Sequence, residues 1–372
     1  MTAFLAWSAA PPPVAQEKWT AEDVVNQESA GGWHFSPNGK SVVWVKSSSD
    51  KEKNEHIGHL FRTDFATRRQ VQLTRGSDSC LSPKWSPDGK HLAFLSSRAA
   101  PKAKAKSRRN DDDAEENKTQ IWLLDSSGGE AWPITEVKRG VSHYGWAGDD
   151  AIIFTATEDS THREAKAKED KDDAAPVEDE SAEPYSRLFK VTIEGRKVTR
   201  LPSPGNRLDR LYVSPDGRHA LVNNVRSLRY IYDNRIKPVW FVIDLETGRA
   251  SRVFEDSRLS LVHACWSPDS RTVYAIDRAS SRPNLDQAGL YEVVRLDPQT
   301  HKHDRVNLNW ERGLADAAES GAGFVALNDG FLALLANGVR PVAVRYTRSG
   351  EKQPLQGEHV GNLQELASPD GK

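Results

Sequence analysis

The motif Trp-Ser-Pro-Asp-Gly-Lys at residues 85–90 constrains this chain more than any other feature, because versions of it recur along the whole sequence. Proline fixes φ for the first central position of a tight turn, Asp or Asn suits the second, and Gly adopts the left-handed conformation that follows. An apolar residue precedes each copy and an apolar run follows it, so each copy predicts a β-hairpin. The copies begin at Ser36, Ser86, Ser214, Ser267 and Ser368.

Two degenerate turns, at residues 146–150 and 326–330, extend the series to seven, with intervals of roughly 40 to 67 residues. Each complete unit contains four short apolar segments, and four-stranded units repeated at this period are typical of a β-propeller. We therefore predict an all-β fold over residues 17–372, with six complete blades and the start of a seventh. Either the ring has six blades and a tail, or the chain is incomplete at its C-terminus.

Composition excludes several classes of function. The formal net charge is −2, so no overall basicity argues for nucleic-acid binding. Mean hydropathy is −0.66, and no apolar run reaches 18 residues, which excludes a membrane-spanning helix. The two cysteines, Cys80 and Cys265, lie far apart in different units, and we expect both to be buried as small apolar side chains.

Residues 1–16 have a short apolar run followed by small residues and prolines, as in the second half of a secretory signal. No Lys or Arg precedes the apolar run, so the basic start of such a signal is missing. We predict an exported, periplasmic protein that carries a signal remnant. The alternative is a disordered tail on a cytoplasmic protein.

Two charged insertions interrupt the repeats, each between the second and third strands of its unit. Residues 98–118 contain seven basic and five acidic side chains, and residues 158–184 contain eleven acidic and four basic ones. Because both insertions occupy the same place in the unit, we expect them to emerge on the same face of the ring. Solvated disordered loops are the simplest interpretation, and a gate or a partner-docking loop is the alternative.

Motifs for catalysis and cofactors are missing. The sequence has no Gly-x-Ser-x-Gly elbow, no P-loop and no dinucleotide fingerprint. The histidine pairs His56/His59 and His301/His303 lack the further ligands that a metal site needs. We therefore predict no catalytic residue, no metal and no cofactor within this chain.

One loop, residues 226–235, is chemically richer than the others because it interleaves arginines with tyrosines. Arginine suits carboxylate recognition, and tyrosine suits packing against a peptide. Tyrosines that simply pack on a blade edge are the alternative. The candidate substrate-binding residues are Arg226, Arg229, Tyr232 and Arg235.

The repeated motif, together with third strands such as Ile121–Asp125 that are followed by glycines, resembles the N-terminal propeller of prolyl oligopeptidase-family serine peptidases. The acylaminoacyl-peptidase and dipeptidyl-peptidase branches are the most similar. The lead-in Trp19–Val25 and the charged insertions add to the resemblance, which covers residues 17–372. Propellers of the Tol system share the blade motif.

The resemblance implies a two-part enzyme, in which the propeller filters access to an α/β-hydrolase domain that holds Ser, Asp and His. No position in this sequence matches those residues, so we expect this chain alone to be inactive. Peptide would be the substrate, and neither nucleic acid nor a membrane is expected as a partner. An open blade edge would favour self-association. The alternative function is a stand-alone periplasmic propeller that binds proteins.

Overall fold

The computed structural model describes residues 19–51, 54–99, 118–170, 184–205, 207–233, 235–282, 289–355, 363 and 365–368. It is an all-β, six-blade β-propeller: six four-stranded antiparallel sheets lie in a ring, and the strands of each sheet follow chain order. The predicted fold class is confirmed. The last residues of the predicted seventh turn, 369–372, and the N-terminal segment 1–16 lie outside the described residues.

The blades are numbered in chain order. Blade 1 contains β1 (Ser29–Phe35), β2 (Ser41–Asp50), β3 (Glu55–Asp64) and β4 (Gln70–Gln72), and blade 2 contains β5 (Cys80–Trp85), β6 (His91–Ser96), β7 (Gln120–Asp125) and β8 (Trp132–Pro133). Blade 3 contains β9 (Val141–Trp146), β10 (Ala151–Thr157), β11 (Ser186–Thr192) and β12 (Val198–Arg200). Blade 4 contains β13 (Leu208–Val213), β14 (His219–Asn224), β15 (Val239–Asp244) and β16 (Ala250–Val253). Blade 5 contains β17 (Leu261–Trp266), β18 (Val273–Ala279), β19 (Leu290–Leu296) and β20 (His303–Val306), and blade 6 contains β21 (Phe324–Leu327), β22 (Gly330–Leu335), β23 (Val342–Thr347) and β24 (Lys352–Pro354).

The helices are short. Helix α1 (Ala21–Val25) precedes the first blade and begins with a capping box between Thr20 and Asp23. Helix α2 (His162–Glu169) lies in the second charged insertion, and α3 (Tyr230–Asp233) lies in the arginine-rich loop of blade 4. Two 3₁₀ turns lie at Glu194–Arg196 and Asp316–Ala318. Within the described part of the chain, no helix is long and apolar enough to cross a membrane.

The recurring motif builds the same turn in four blades. Its serine hydroxyl is buried, donates to the Asp or Asn side chain at 2.6–2.8 Å, and accepts the backbone N–H five residues later at 2.9–3.0 Å. The backbone N–H of Lys90 and the neighbouring hydroxyl lower the pKa of Asp88 to about 2. Gly89 has φ +72°, which confirms the left-handed position expected from the sequence.

Neighbouring blades share the core, because a blade cannot bury both of its faces by itself. Val43 and Leu60 of blade 1 pack with Trp85 and Phe94 of blade 2, and equivalent clusters join the later blades. Buried polar groups add specific links: the indole N–H of Trp146 donates to the Lys84 carbonyl of the preceding blade at 3.1 Å. Corresponding bonds join Trp266 to the Tyr212 carbonyl at 2.9 Å and the Tyr144 hydroxyl to the Ala93 carbonyl at 2.9 Å.

The connections alternate between two faces of the ring. The serine-containing turns join first to second strands on one face, here called the turn face. The connections between second and third strands, and those between consecutive blades, lie on the opposite face, here called the loop face. By this topology, the arginine-rich loop and the described ends of the two charged insertions lie on the loop face. For the two insertions, the attachment points agree with the expectation from the sequence.

The first strand of each blade is its innermost strand, nearest the centre of the ring. Two histidines on these strands are kept neutral by their surroundings. Burial, with a smaller contribution from Lys84, lowers the pKa of His34 to about 4. Burial and then Arg210 lower the pKa of His263 to about 4. Because an ordinary histidine titrates near 6.5, the unfolded chain binds protons at these sites between about pH 6.5 and 4, where the folded chain does not.

Gly89→Ala and Gly217→Ala form a matched pair of substitutions, since the two glycines have φ of +72° and +70°. A Cβ at Gly89 meets only the Pro37 ring at 3.5 Å, whereas one at Gly217 would lie 2.6 Å from the Gly148 nitrogen of blade 3. We expect a loss of about 1 kcal/mol for Gly89→Ala, from backbone strain, and about 2–4 kcal/mol for Gly217→Ala. Urea unfolding measures both, and equal losses would contradict this blade contact.

We expect the folded protein to lose stability as the pH falls from 6.5 to 4.5, because the unfolded state takes up protons at His34 and His263. His263→Gln should remove about 1–2 kcal/mol of this loss. The stabilisation that comes from the lowered pKa of Asp88 is lost only below about pH 4. The effect of the two histidines and the effect of Asp88 therefore fall in different pH ranges. Urea titrations at several pH values measure the slope, with exposed His56→Gln as control. An unchanged slope in His263→Gln would contradict the assignment.

Candidate functional site: a cationic pocket between blades 4 and 5

A pocket of about 420 Å³ opens between the loop at residues 225–238 and the linker at residues 254–260. The loop connects β14 to β15 within blade 4, and the linker runs from the last strand of blade 4 to the first strand of blade 5. Both segments belong to the loop face. The pocket therefore lies where the sequence placed its richest loop.

The floor of the pocket is apolar because it is part of the core shared by blades 4 and 5. Trp240, Val253, Phe254 and Leu259 belong to this core and also line the pocket. The rings of Trp240 and Phe254 meet edge to face, with centroids 6.5 Å apart. Phe254 has φ +56°, an uncommon backbone conformation for a bulky residue, at the point where β16 turns into the linker.

The rim of the pocket carries four cationic side chains, supplied by the loop and by β16. They are Arg226, Arg235, Lys237 and Arg252. The Arg226 Nε donates to the Lys237 carbonyl at 3.3 Å, and the Lys237 Nζ donates to the Leu259 carbonyl at 3.1 Å. Both of these contacts are to backbone carbonyl oxygens, and they tie the loop to itself and to the linker.

Two carboxylates also lie at the pocket, and each is paired with an arginine. Glu255 accepts from the Arg252 Nε at 3.2 Å. Both carboxylate oxygens of Asp256 accept from the guanidinium of Arg258, with the shortest contact at 2.8 Å. This side-chain bond, and a backbone N–H of the same residue, lower the pKa of Asp256 to about 2. The two carboxylates of the linker are therefore paired with Arg252 and Arg258.

Hydrogen bonds hold the loop against the linker. The hydroxyls of Tyr230 and Ser260 lie 3.2 Å apart, and the Ser260 N–H donates to Asp277 at 2.6 Å. Asp277 is fully buried, and this burial raises the pKa of its carboxyl group even though Arg305 is 2.8 Å away. The linker thus has a fixed anchor in blade 5, and Tyr230 connects the loop to that anchor.

The structure places two of the four predicted site residues in the pocket. Arg226 and Arg235 line it, whereas Arg229 and Tyr232 do not, and Tyr232 is 74% exposed. The four candidates were predicted as one continuous stretch, but the short helix α3 lies within it and separates Arg226 from Arg235. Tyr230, Lys237 and Arg252 were missed. Lys237 could have been predicted as a pocket residue, because it lies two residues before strand β15 at the end of the same loop. Arg252 lies on a different strand, β16, and nothing in the sequence connects it with the loop.

The side chains of the pocket are suited to binding. Within the described residues, no group of three His, Cys, Asp or Glu side chains is arranged to hold a metal ion. An apolar floor beneath a cationic rim can accept an apolar side chain and an adjoining carboxylate or carbonyl oxygen of one extended chain. Peptide segments combine these two features.

Comparison with known proteins identifies peptidases as homologues. No protein-family profile matches the chain. It is 24% identical over 212 residues to an uncharacterized peptidase, YuxL, of Bacillus subtilis (strain 168), and 22% identical over 274 residues to dipeptidyl-peptidase 5 of Porphyromonas endodontalis. The matched segments make up 54% and 68% of this chain, but only 30% and 37% of the relatives. The chain thus corresponds to roughly a third of the curated relatives it matches.

Among solved structures, the acylaminoacyl peptidase of Pyrococcus horikoshii superposes with a TM-score of 0.62 at 14% identity. The superposition covers 92% of this chain and 48% of the peptidase. A likeness at this level of identity shows the propeller fold alone.

A double-mutant cycle tests the attachment of the loop to the linker. Tyr230→Phe removes one hydroxyl of the pair with Ser260, and we expect a loss of about 0.5–1.5 kcal/mol in the free energy of unfolding. Ser260→Ala should cost a similar amount, and the double variant should cost less than the sum. Limited trypsin digestion should cut the loop faster in all three variants. Tyr232→Phe, at an exposed position of the same helix, is the control. Full additivity would contradict the contact.

Proposed function

We propose that this propeller selects peptide substrates for a serine peptidase of the prolyl oligopeptidase type. Hydrolysis is performed by an α/β-hydrolase domain, and the propeller controls which peptides reach it. The observation that carries this proposal is the homology of the blades to two peptidases, over 54% and 68% of the chain. The stand-alone, Tol-type alternative receives no comparable support.

The pocket between blades 4 and 5 supports a role in peptide recognition. Its apolar floor and cationic rim match the two kinds of group that a peptide offers, namely side chains and backbone or terminal oxygens. It lies on the loop face, on which the second charged insertion also leaves β10 of the neighbouring blade 3. A substrate that crosses this face would meet both.

The base of the second insertion is fixed by ion pairs, which suits a gate with a rigid attachment. Glu158 bridges Arg187 and Arg200 at 3.3 and 2.7 Å. Arg139 holds Glu164 at the start of helix α2 at 2.5 Å. Residues 158–184 are strongly acidic in sequence, and four basic side chains line the pocket, so in this proposal the insertion competes with acidic peptide groups for the pocket.

We also propose that the protein is exported and that its exposed blade edge can pair with a second copy. The first part rests on the signal-like residues 1–16, and the second on the general tendency of open sheet edges to pair. Size-exclusion chromatography with light scattering tests the second part, and cell fractionation with an antibody tests the first.

Labelling with a fluorophosphonate probe, which reacts with active serine hydrolases, tests the peptidase assignment. We expect the longest natural polypeptide that the gene encodes to be labelled at a serine outside these 372 residues. We expect the 372-residue chain alone to remain unlabelled. Labelling within this chain, or failure of a folded full-length product to react, would overturn the proposal.

Substitutions in the pocket test its part in selection. In the natural polypeptide, Arg226→Ala combined with Arg252→Ala should raise KM for peptides of eight or more residues about tenfold, through the loss of contacts that long substrates make. Hydrolysis of a dipeptide anilide should change less than twofold. Arg340→Ala, at an exposed position of blade 6, is the matched control. An equal effect on both substrates would show that the pocket does not distinguish peptides by length.

A further inference from the structure

The innermost strands of five blades share an irregularity that the repeated turns did not predict. In each, the pairing with the second strand slips by one residue at a β-bulge, shortly before the turn. The slips lie between residues 31 and 34 of β1, 81 and 84 of β5, 141 and 143 of β9, 208 and 211 of β13, and 261 and 263 of β17. Bulges re-aim side chains and are common beside functional sites.

A basic side chain lies in or directly after every one of these bulges. The five are His34, Lys84, His143, Arg210 and His263, one on each of five successive inner strands. All five are half-buried, as expected of groups that face the axis of a ring. Across the six innermost strands the only carboxylate is Asp209, which pairs with Arg210 at 3.3 Å.

Lys84 is the second of these five residues, here called the axial arc, and lies between His34 and His143. Its environment is unusual for an ammonium group. Its Nζ donates to the Tyr144 carbonyl at 2.6 Å and lies 4.9 Å from the centre of the Tyr144 ring. Among the described residues no carboxylate forms an ion pair with it. Burial lowers its pKa to about 8, so the group still carries its charge at neutral pH. A half-buried cation that has a carbonyl partner but no counter-ion still carries a desolvation cost in the folded protein.

The imidazoles on either side of Lys84 can supply further donors. His34 Nδ1 accepts the Trp85 N–H at 3.3 Å, which assigns its proton to Nε2. His143 Nδ1 is buried and has no hydrogen-bond partner among the described residues. Lys84 is close enough to both rings to contribute to their lowered pKa values. One ammonium and two imidazoles thus converge from three neighbouring blades.

We propose that this axial arc binds one carboxylate group, with Lys84 as the counter-ion and His34 and His143 as flanking hydrogen-bond partners. The bound carboxylate supplies the negative charge that the inner strands lack around Lys84. The group belongs either to a small organic acid or to the C-terminus of a peptide. This inference is independent of the proposed peptidase role and of the pocket between blades 4 and 5.

A purely structural role for Lys84, in which its hydrogen bond to Tyr144 joins blades 2 and 3, makes different predictions. If that is its role, removing the Lys84 side chain should destabilise the protein in any buffer. A binding cation should leave stability unchanged or improved when Met replaces it, because the desolvated charge is removed. Lys84→Met therefore separates the two roles by its stability in the absence of carboxylates.

The test is thermal unfolding at constant ionic strength with three probes: acetyl-Gly-Gly, its C-terminal amide, and acetate. We expect acetyl-Gly-Gly to raise the Tm of the wild-type chain by on the order of 2 °C at about ten times its Kd, and the amide to have no effect. A similar effect of acetate at similar concentration identifies a small acid as sufficient, whereas a much weaker effect identifies the peptide terminus.

Two substitutions and a control complete the experiment. Lys84→Met and His143→Ala should abolish the carboxylate-dependent rise in Tm, while exposed Lys40→Met should retain it. Circular dichroism confirms that each variant is folded. If Lys84→Met lowers the Tm without ligand and still responds to acetyl-Gly-Gly as the wild type does, or if the amide acts equally, the proposal is wrong.

Discussion

The structure depends on the burial of each blade against the next. A four-stranded sheet has two apolar faces and can cover neither by itself, so the core consists of clusters shared between neighbouring blades. Polar links within this interface fix the relative position of the blades. The Trp146 indole reaches the Lys84 carbonyl, and the Trp266 indole reaches the Tyr212 carbonyl, at 3.1 and 2.9 Å.

The same interface creates the two sites of interest. The pocket between blades 4 and 5 exists because the linker must cross from one sheet to the next, and the buried side chains of Trp240 and Phe254 line it. The axial arc exists because the first strands of all blades converge at the centre. A bulge in five of these six strands re-aims a basic side chain, such as Lys84.

The fold could be predicted from the sequence because its signals are local. The Ser-Pro-Asp-Gly turn is defined within a few residues: the hydroxyl of Ser86, the carboxylate of Asp88 and the left-handed Gly89 act together wherever they occur. In blade 5 the same turn forms although its glycine is replaced. There Ser270 takes the glycine position with φ +59°, and its hydroxyl accepts the Asp216 N–H of blade 4 at 3.0 Å.

The sites were less predictable because they depend on contacts between distant segments. Arg226 and Arg235 were found because they belong to one rich loop, but helix α3 turns Tyr232 into solvent, and Arg252 comes from another strand. Nothing in the repeated motif pointed to the basic side chains of the innermost strands. Bulges shift the alternation of side chains, so His34, His143 and His263 occupy related positions without sharing a fixed place in the motif.

Hydrogen–deuterium exchange with and without a saturating octapeptide that carries a free C-terminus tests most directly whether this propeller recognises peptides through its loop face and its axis. The account predicts slower exchange in residues 225–238 and 254–260 and in the inner strands β5 and β9, with no change in outer strands such as β4 and β12. Slower exchange confined to the outer strands, or none at all at saturation, would contradict it.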